Sequence, residues 1–214
     1  MITYHDQIEL FTLMSKQLKR DVVCYAFGGN AMMFYGYKDE TKDVDLLFED
    51  EKGRQDFIEA LKEAGYKETS LFKIYTEDKV KEKNAPLMFK RGEGRFDLFV
   101  KKIFRTVLSP KMKEDLEAVH DFKDKFNLKV NVLKKEHLVF LKAVTSRQND
   151  FDDIKTIVKK EKHFDWQYFV DEVVWQYQNG NDWAVLDAEK MMKELKEYVF
   201  IEEKYSKQLY AALK

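Results

Sequence analysis

The feature that most limits the fold is the stretch VVCYAFGGNAMMFYGYKDETKDVDLLFED, from Val22 to Asp50. An apolar run ends at two adjacent glycines, a short segment of helical character follows, and the chain returns through two aspartates set among apolar residues. Val22 to Phe27 reads as a buried strand. Gly28 and Gly29 at its end permit a turn and a backbone approach that a Cβ would block. Asn30 to Tyr35 reads as a short helix leaving at Gly36, and Asp43 to Phe48 as a second strand. Strand alternation then puts Asp43 and Asp45 on one face, with Val44 and Leu46 turned to the core.

That order of elements has a chemical reading. Two carboxylates on one face repel unless a cation lies between them. Mg2+, or Mn2+ in its place, is the natural candidate, because it takes hard oxygen ligands and itself carries phosphate oxygens. Asp97, in RFDLF, has the same apolar flanks and is placed to complete the cluster from a neighbouring strand. A glycine pair followed by a helix start suits a triphosphate, since the free N–H groups of the first turn point at the anion.

The rest of the chain supplies a frame. Tyr4 to Lys19 and Arg54 to Ala64 carry apolar residues at helical spacing, and Ser70 to Tyr75, Pro86 to Lys90 and Arg95 to Lys101 read as strands. Beyond Ser109 the sequence reads as helix, apart from FNLKVNVL, which reads as an edge strand. The expected fold class is therefore α+β, a mixed sheet with flanking helices, followed by a helical C-terminal domain. The boundary is expected at 130, giving an α/β domain over 1–130 and a helical domain over 131–214.

Composition excludes some partners and leaves others open. The 214 residues, 44% of them hydrophobic, suffice for one large domain or two small ones. With 38 basic against 39 acidic side chains, the chain is no general polyanion binder, and any basic surface is local. No apolar run is long enough to span a membrane and the N-terminus has no leader pattern, so a cytoplasmic location with no membrane partner is expected. The single cysteine, Cys24, lies in the apolar run and reads as a buried hydrophobe. His5, His120, His137 and His163 lack metal-ligand spacing. Trp166, Tyr168, Trp175 and Tyr177 read as helix packing, and the lysine-rich stretch from Lys101 to Lys135 fits either a solvated surface or RNA.

The ordered set of strand, glycine pair, short helix, D-V-D and a later lone strand aspartate resembles the signature of the nucleotidyltransferase superfamily of the DNA polymerase beta type. Within it, YGYKDETKDVDLLF is similar to the corresponding stretch of the minimal and abortive-infection (AbiEii-like) toxin nucleotidyltransferases. Further on, EHLVFLKAVTSRQNDFDDI looks like their downstream lysine, basic residue and aspartate element, with Lys142, Arg147, Asp150 and Asp153. The likeness covers roughly residues 22 to 160. It departs at Lys38, which is followed by Asp39 where relatives carry two basic residues, and at Asn30 where a small residue or hydroxyl is common.

The resemblance implies transfer of an NMP from an NTP to an acceptor hydroxyl, on RNA such as a tRNA end, on a protein, or on a small molecule. Asp43, Asp45 and Asp97 would be the catalytic metal ligands. Gly28, Gly29, Asn30, Lys38, Lys42 and Lys142 would bind the nucleotide. An ATP-binding enzyme in a toxin-antitoxin pair, with an antitoxin partner, is within its scope. Two other readings stay open: a catalytically silent binding module or regulator on the same fold, and a metal-dependent nuclease using the same aspartates.

Overall fold

A computed structural model describes residues 1–70, 84–145 and 147–213. The strand expected over Ser70 to Tyr75 falls, apart from Ser70, outside the described residues. The chain divides into two compact units, Met1–Leu108 with Leu116–Leu133, and Ser109–Asp115 with Lys134–Lys214.

The first unit is a mixed sheet with helices. Its strands are β1 (Ile2–Thr3), β2 (Val22–Phe27), β3 (Glu40–Thr41), β4 (Val44–Phe48), β5 (Lys67–Thr69), β6 (Leu87–Arg91), β7 (Gly94–Val100), β8 (Lys102–Ile103), β9 (Thr106–Val107), β10 (Leu116–Lys123) and β11 (Asn127–Leu133). The main sheet runs β10-β11-β2-β4-β7-β6-β5, with β8 and β9 appended beside β7, while β1 and β3 form a separate pair. β2 is parallel to β11 and antiparallel to β4, and β4 is parallel to β7.

The helices of this unit begin where the sequence offers caps. α1 (Tyr4–Gln17) opens on a capping box in which Thr3 and Asp6 satisfy each other's backbone N–H groups, at 3.2 and 2.8 Å. α3 (Glu51–Glu63) starts three residues before its apolar periodicity implies, because the Asp50 carboxylate accepts from the Gly53 N–H at 2.8 Å. Between them, α2 (Gly28–Phe34) begins directly at the glycine pair.

Side-chain alternation fixes the two faces of the central strands. Phe48 and Phe96 both pack on Phe57 of α3, with ring centroids 5.5 and 5.7 Å away. The even-numbered residues of β4 and β7 therefore face α3. The odd-numbered ones, Asp45, Leu47, Asp97 and Phe99, face the other side, where Phe27 meets Phe99 at 5.5 Å. Phe48, Phe57, Phe96 and Phe99 are all buried, so these strands form the core of the unit.

Two expectations about the middle of the chain need correction. LEAVHDFK is not helix but strand β10, hairpinned to β11. Its half-buried residues Leu116, Ala118, His120 and Phe122 alternate with exposed Glu117, Val119, Asp121 and Lys123, and Phe122 packs on Phe11 of α1 at 5.3 Å. The local helix preference of this segment is overridden by cross-strand and core packing. Nor is β11 an edge: it lies between β10 and β2, with Leu128, Val130 and Val132 fully buried.

The second unit is helical. It comprises α4 (Pro110–Glu114), α5 (Lys135–Ala143), α6 (Gln148–Lys160), α7 (Trp166–Gln178), α8 (Ala184–Leu195) and α9 (Glu203–Ala211). α5 is buried along its length from Glu136 to Ala143. A polar cluster lies inside: Glu172 accepts from Ser109 Oγ at 3.0 Å and from Gln176 Nε2 at 2.9 Å, and its carboxylate lies 3.9 Å from His137 Nε2. His137 is fully buried, and neither ring nitrogen has a hydrogen-bond partner among the described residues. Burial, and secondarily the charge of Lys134, pushes its pKa down to about 3, while burial raises that of Glu172. Among the described residues no helix is long and apolar enough to cross a membrane.

Candidate functional site

Asp45 and Asp97 are register partners on the parallel strands β4 and β7, so their side chains stand side by side on the face away from α3. Asp43 precedes β4 by one residue and projects to the same face as Asp45. Asp97 is fully buried, whereas Asp43 and Asp45 are half-buried. The structure thus brings the three sequence-identified aspartates to one face of adjacent strands. Unpaired, they would repel strongly in a shielded setting.

A residue the sequence reading passed over meets that charge. Arg95 lies two positions before Asp97 on β7, hence on its face. Its Nη2 donates to Asp43, and its Nε lies 2.9 Å from an Asp97 oxygen in an ion pair. The arginine side chain is only 16% exposed. The signal was present in GRFDLFV, where alternation alone puts Arg95 beside Asp97.

The glycine pair sits against this cluster. Gly28 has φ +65°, and a Cβ built on it would lie 2.1 Å from Asp45 Oδ2. A Cβ on Gly29 would lie 2.4 Å from Thr41 Oγ1, and Thr41 in turn donates weakly to Asp43 at 3.5 Å. The two glycines therefore let the start of α2 close on the β3–β4 segment that carries the aspartates. Asn30 adds a strut: its buried side chain accepts from the Asp45 N–H at 3.1 Å, and its own carbonyl accepts from Gln7 of α1 at 3.3 Å. The Asn30 amide nitrogen is buried with no hydrogen-bond partner among the described residues.

The lysines separate. Lys38, half-buried, and Lys42, exposed, flank β3 in the same unit as the aspartates. Lys142 belongs to the helical unit, where it is buried and pairs with Asp153 at 2.7 Å and Asp150 at 3.2 Å. Asp150 also accepts from Thr145 and Arg147, each at 2.5 Å. Burial would raise the Asp150 pKa, but the Lys142 charge and the Arg147 and Thr145 hydrogen bonds outweigh it and hold the carboxyl below its usual range.

Among the described residues no group of three or more carboxylate, imidazole or thiolate side chains is already arranged to hold a metal ion. The donor set is nevertheless of the right kind. Three carboxylates on one face, two of them sharing one guanidinium, make a site that already holds a cation, and hard oxygen donors match Mg2+ or Mn2+.

No protein-family model matches the chain, and no curated protein matches it. Two solved structures from Helicobacter pylori are similar to it. One is JHP933, 13% identical with a TM-score of 0.44, covering 97% of this chain and 88% of that one. The other, a candidate nucleotidyltransferase, is also 13% identical with a TM-score of 0.44, covering 97% of this chain and 91% of its own.

Proposed function

We propose that this protein is a divalent-metal-dependent nucleotidyltransferase, moving an NMP from an NTP to an acceptor hydroxyl with release of pyrophosphate. The observation that carries the reading is the pairing of Asp45 with Asp97 across β4 and β7, with Asp43 on the same face and the Gly28 turn pressed against Asp45.

In this reading Asp43, Asp45 and Asp97 hold the metal, which when bound supplies charge neutralisation on the phosphates and activation of the attacking hydroxyl. The chain's own residues do the rest. Asn30 fixes the backbone of Asp45, so the carboxylate is oriented before any ligand arrives. The closely packed Gly28 and Gly29 present the start of α2 beside the carboxylates, and Asn30 contributes a buried amide donor. Lys38 and Lys42, on the loops around β3, are the cations proposed for the triphosphate tail. Lys142 is already engaged by two aspartates, and the reading does not draw on it. The acceptor is a hydroxyl of RNA, protein or a small molecule, and the setting implied by the AbiEii-like resemblance is a cytoplasmic toxin-antitoxin pair.

One observation favours a second reading, a binding module on the same frame without turnover. The ion pairs of Arg95 with Asp43 and Asp97 offset the carboxylate charge with no metal at all. Incubating the protein with α-labelled NTPs, Mg2+ and separate RNA, protein and metabolite fractions distinguishes the two. Transfer of label, reduced by orders of magnitude in Asp97→Asn, supports the enzyme, because a lost metal carboxylate removes several kcal/mol of transition-state stabilisation. Nucleotide binding without label in any fraction supports the module.

A further inference from the structure

Arg95 is the residue at the carboxylates to which the transfer chemistry gives no task. The register pairs Val44 with Phe96 and Asp45 with Asp97, so one step further back Asp43 stands across from Arg95. The result is a two-by-two ladder: Asp43 facing Arg95, Asp45 facing Asp97. The guanidinium reaches along and across the ladder at once, contacting Asp43 through Nη2 and Asp97 through Nε.

We propose that Arg95 is a built-in counter-cation that bars a free divalent ion from the carboxylates and gives way when nucleotide and metal arrive together, so that it couples the two binding events. The inference rests on the nucleotidyltransferase reading of the site. A guanidinium cannot be neutralised in the accessible pH range, so it leaves only by displacement. It is shielded from water, so an ion entering between Asp43 and Asp97 must break two ion pairs that water reaches poorly, a costly exchange. A nucleotide changes the balance because its phosphate oxygens accept a guanidinium in the bidentate geometry that carboxylates offer. Metal without nucleotide therefore binds poorly, and each ligand strengthens the other by the same factor. Arg95 is thus a positioning residue, acting through the charge of Asp43 and Asp97.

The test uses the full chain and two titrations, Mn2+ alone followed by electron paramagnetic resonance of the free ion, and a fluorescent non-hydrolysable NTP analogue with and without Mn2+. In the wild type, Mn2+ alone should bind weakly, and Mn2+ should tighten analogue binding about tenfold or more. In Arg95→Met, Mn2+ alone should bind about tenfold more tightly than in the wild type, and analogue affinity should depend less on the metal. Arg95→Met binding Mn2+ no more tightly than the wild type, while the wild type binds analogue in a Mn2+-dependent way, overturns the role of Arg95 and leaves the transferase reading intact. Absence of Mn2+ binding by either protein, with analogue present, overturns the metal site itself and this inference with it. If Arg95→Met fails to fold, Arg95→Lys replaces it. A single ammonium cannot bridge both carboxylates as the fork does, so a Mn2+ affinity between wild type and the tenfold gain is expected, and one equal to wild type contradicts the proposal.

Discussion

Arg95 and Asp43 stand opposite one another at the ends of neighbouring parallel strands, and their side chains close in an ion pair at the edge of a three-aspartate face. That contact meets part of the repulsion among the three carboxylates on this face internally.

Gly28 and Gly36 separate backbone strain from packing. Both have positive φ, +65° and +69°, but only a Cβ on Gly28 meets another group, Asp45 Oδ2. Gly36→Ala should cost about 1 kcal/mol, the left-handed backbone alone. Gly28→Ala should cost at least about 2–3 kcal/mol, because the clash adds to the same strain. Urea denaturation of both variants measures the difference, and equal costs would mean that the start of α2 does not press on Asp45.

Lys142 should prove essential to the helical unit. Lys142→Met leaves Asp150 and Asp153 without their shared buried partner, and a loss of about 3 kcal/mol is expected. Adding Asp150→Asn should return part of that loss, because one of the two carboxylates that lost the lysine no longer carries charge. Denaturant midpoints of the single and double variants check this, and simply additive destabilisation would contradict it.

How much of this was legible in the residues differs from place to place. The strand, glycine pair, short helix and D-V-D order gave the β2–α2–β4 frame, since apolar runs and strand alternation are local signals. Asp97 followed from its apolar flanks. β10 was missed because Glu117, Ala118 and Lys123 favour helix locally, and only pairing with β11 and packing on Phe11 make it a strand. The ion pair of Arg95 with Asp43 depends on the parallel register of β4 with β7, which no local pattern encodes. The engagement of Lys142 by Asp150 and Asp153 likewise depends on how α5 and α6 pack.

His137 should make the protein acid-sensitive. Its pKa is near 3 in the folded chain against about 6.5 unfolded. The unfolded state therefore binds the proton first as pH falls, so the contribution of neutral His137 is full above pH about 6.5 and is lost progressively towards pH 3. Glu172, with a raised pKa, acts in the opposite sense above the usual carboxylate range, but it is common to both proteins compared. His137→Phe should flatten the fall in melting temperature between pH 7 and pH 4.5, and an unchanged slope would mean that the imidazole is not held neutral.

The most direct test of the central claim is anomalous diffraction from crystals grown with Mn2+ and a non-hydrolysable NTP analogue. The expected result is a manganese peak in contact with the carboxylates of Asp45 and Asp97, with the phosphates beside Gly28 and Gly29 and the Arg95 guanidinium moved off Asp43. Bound analogue with manganese elsewhere, and Arg95 still paired with Asp43 and Asp97, would contradict the claim that these aspartates form the metal centre of a nucleotidyltransferase.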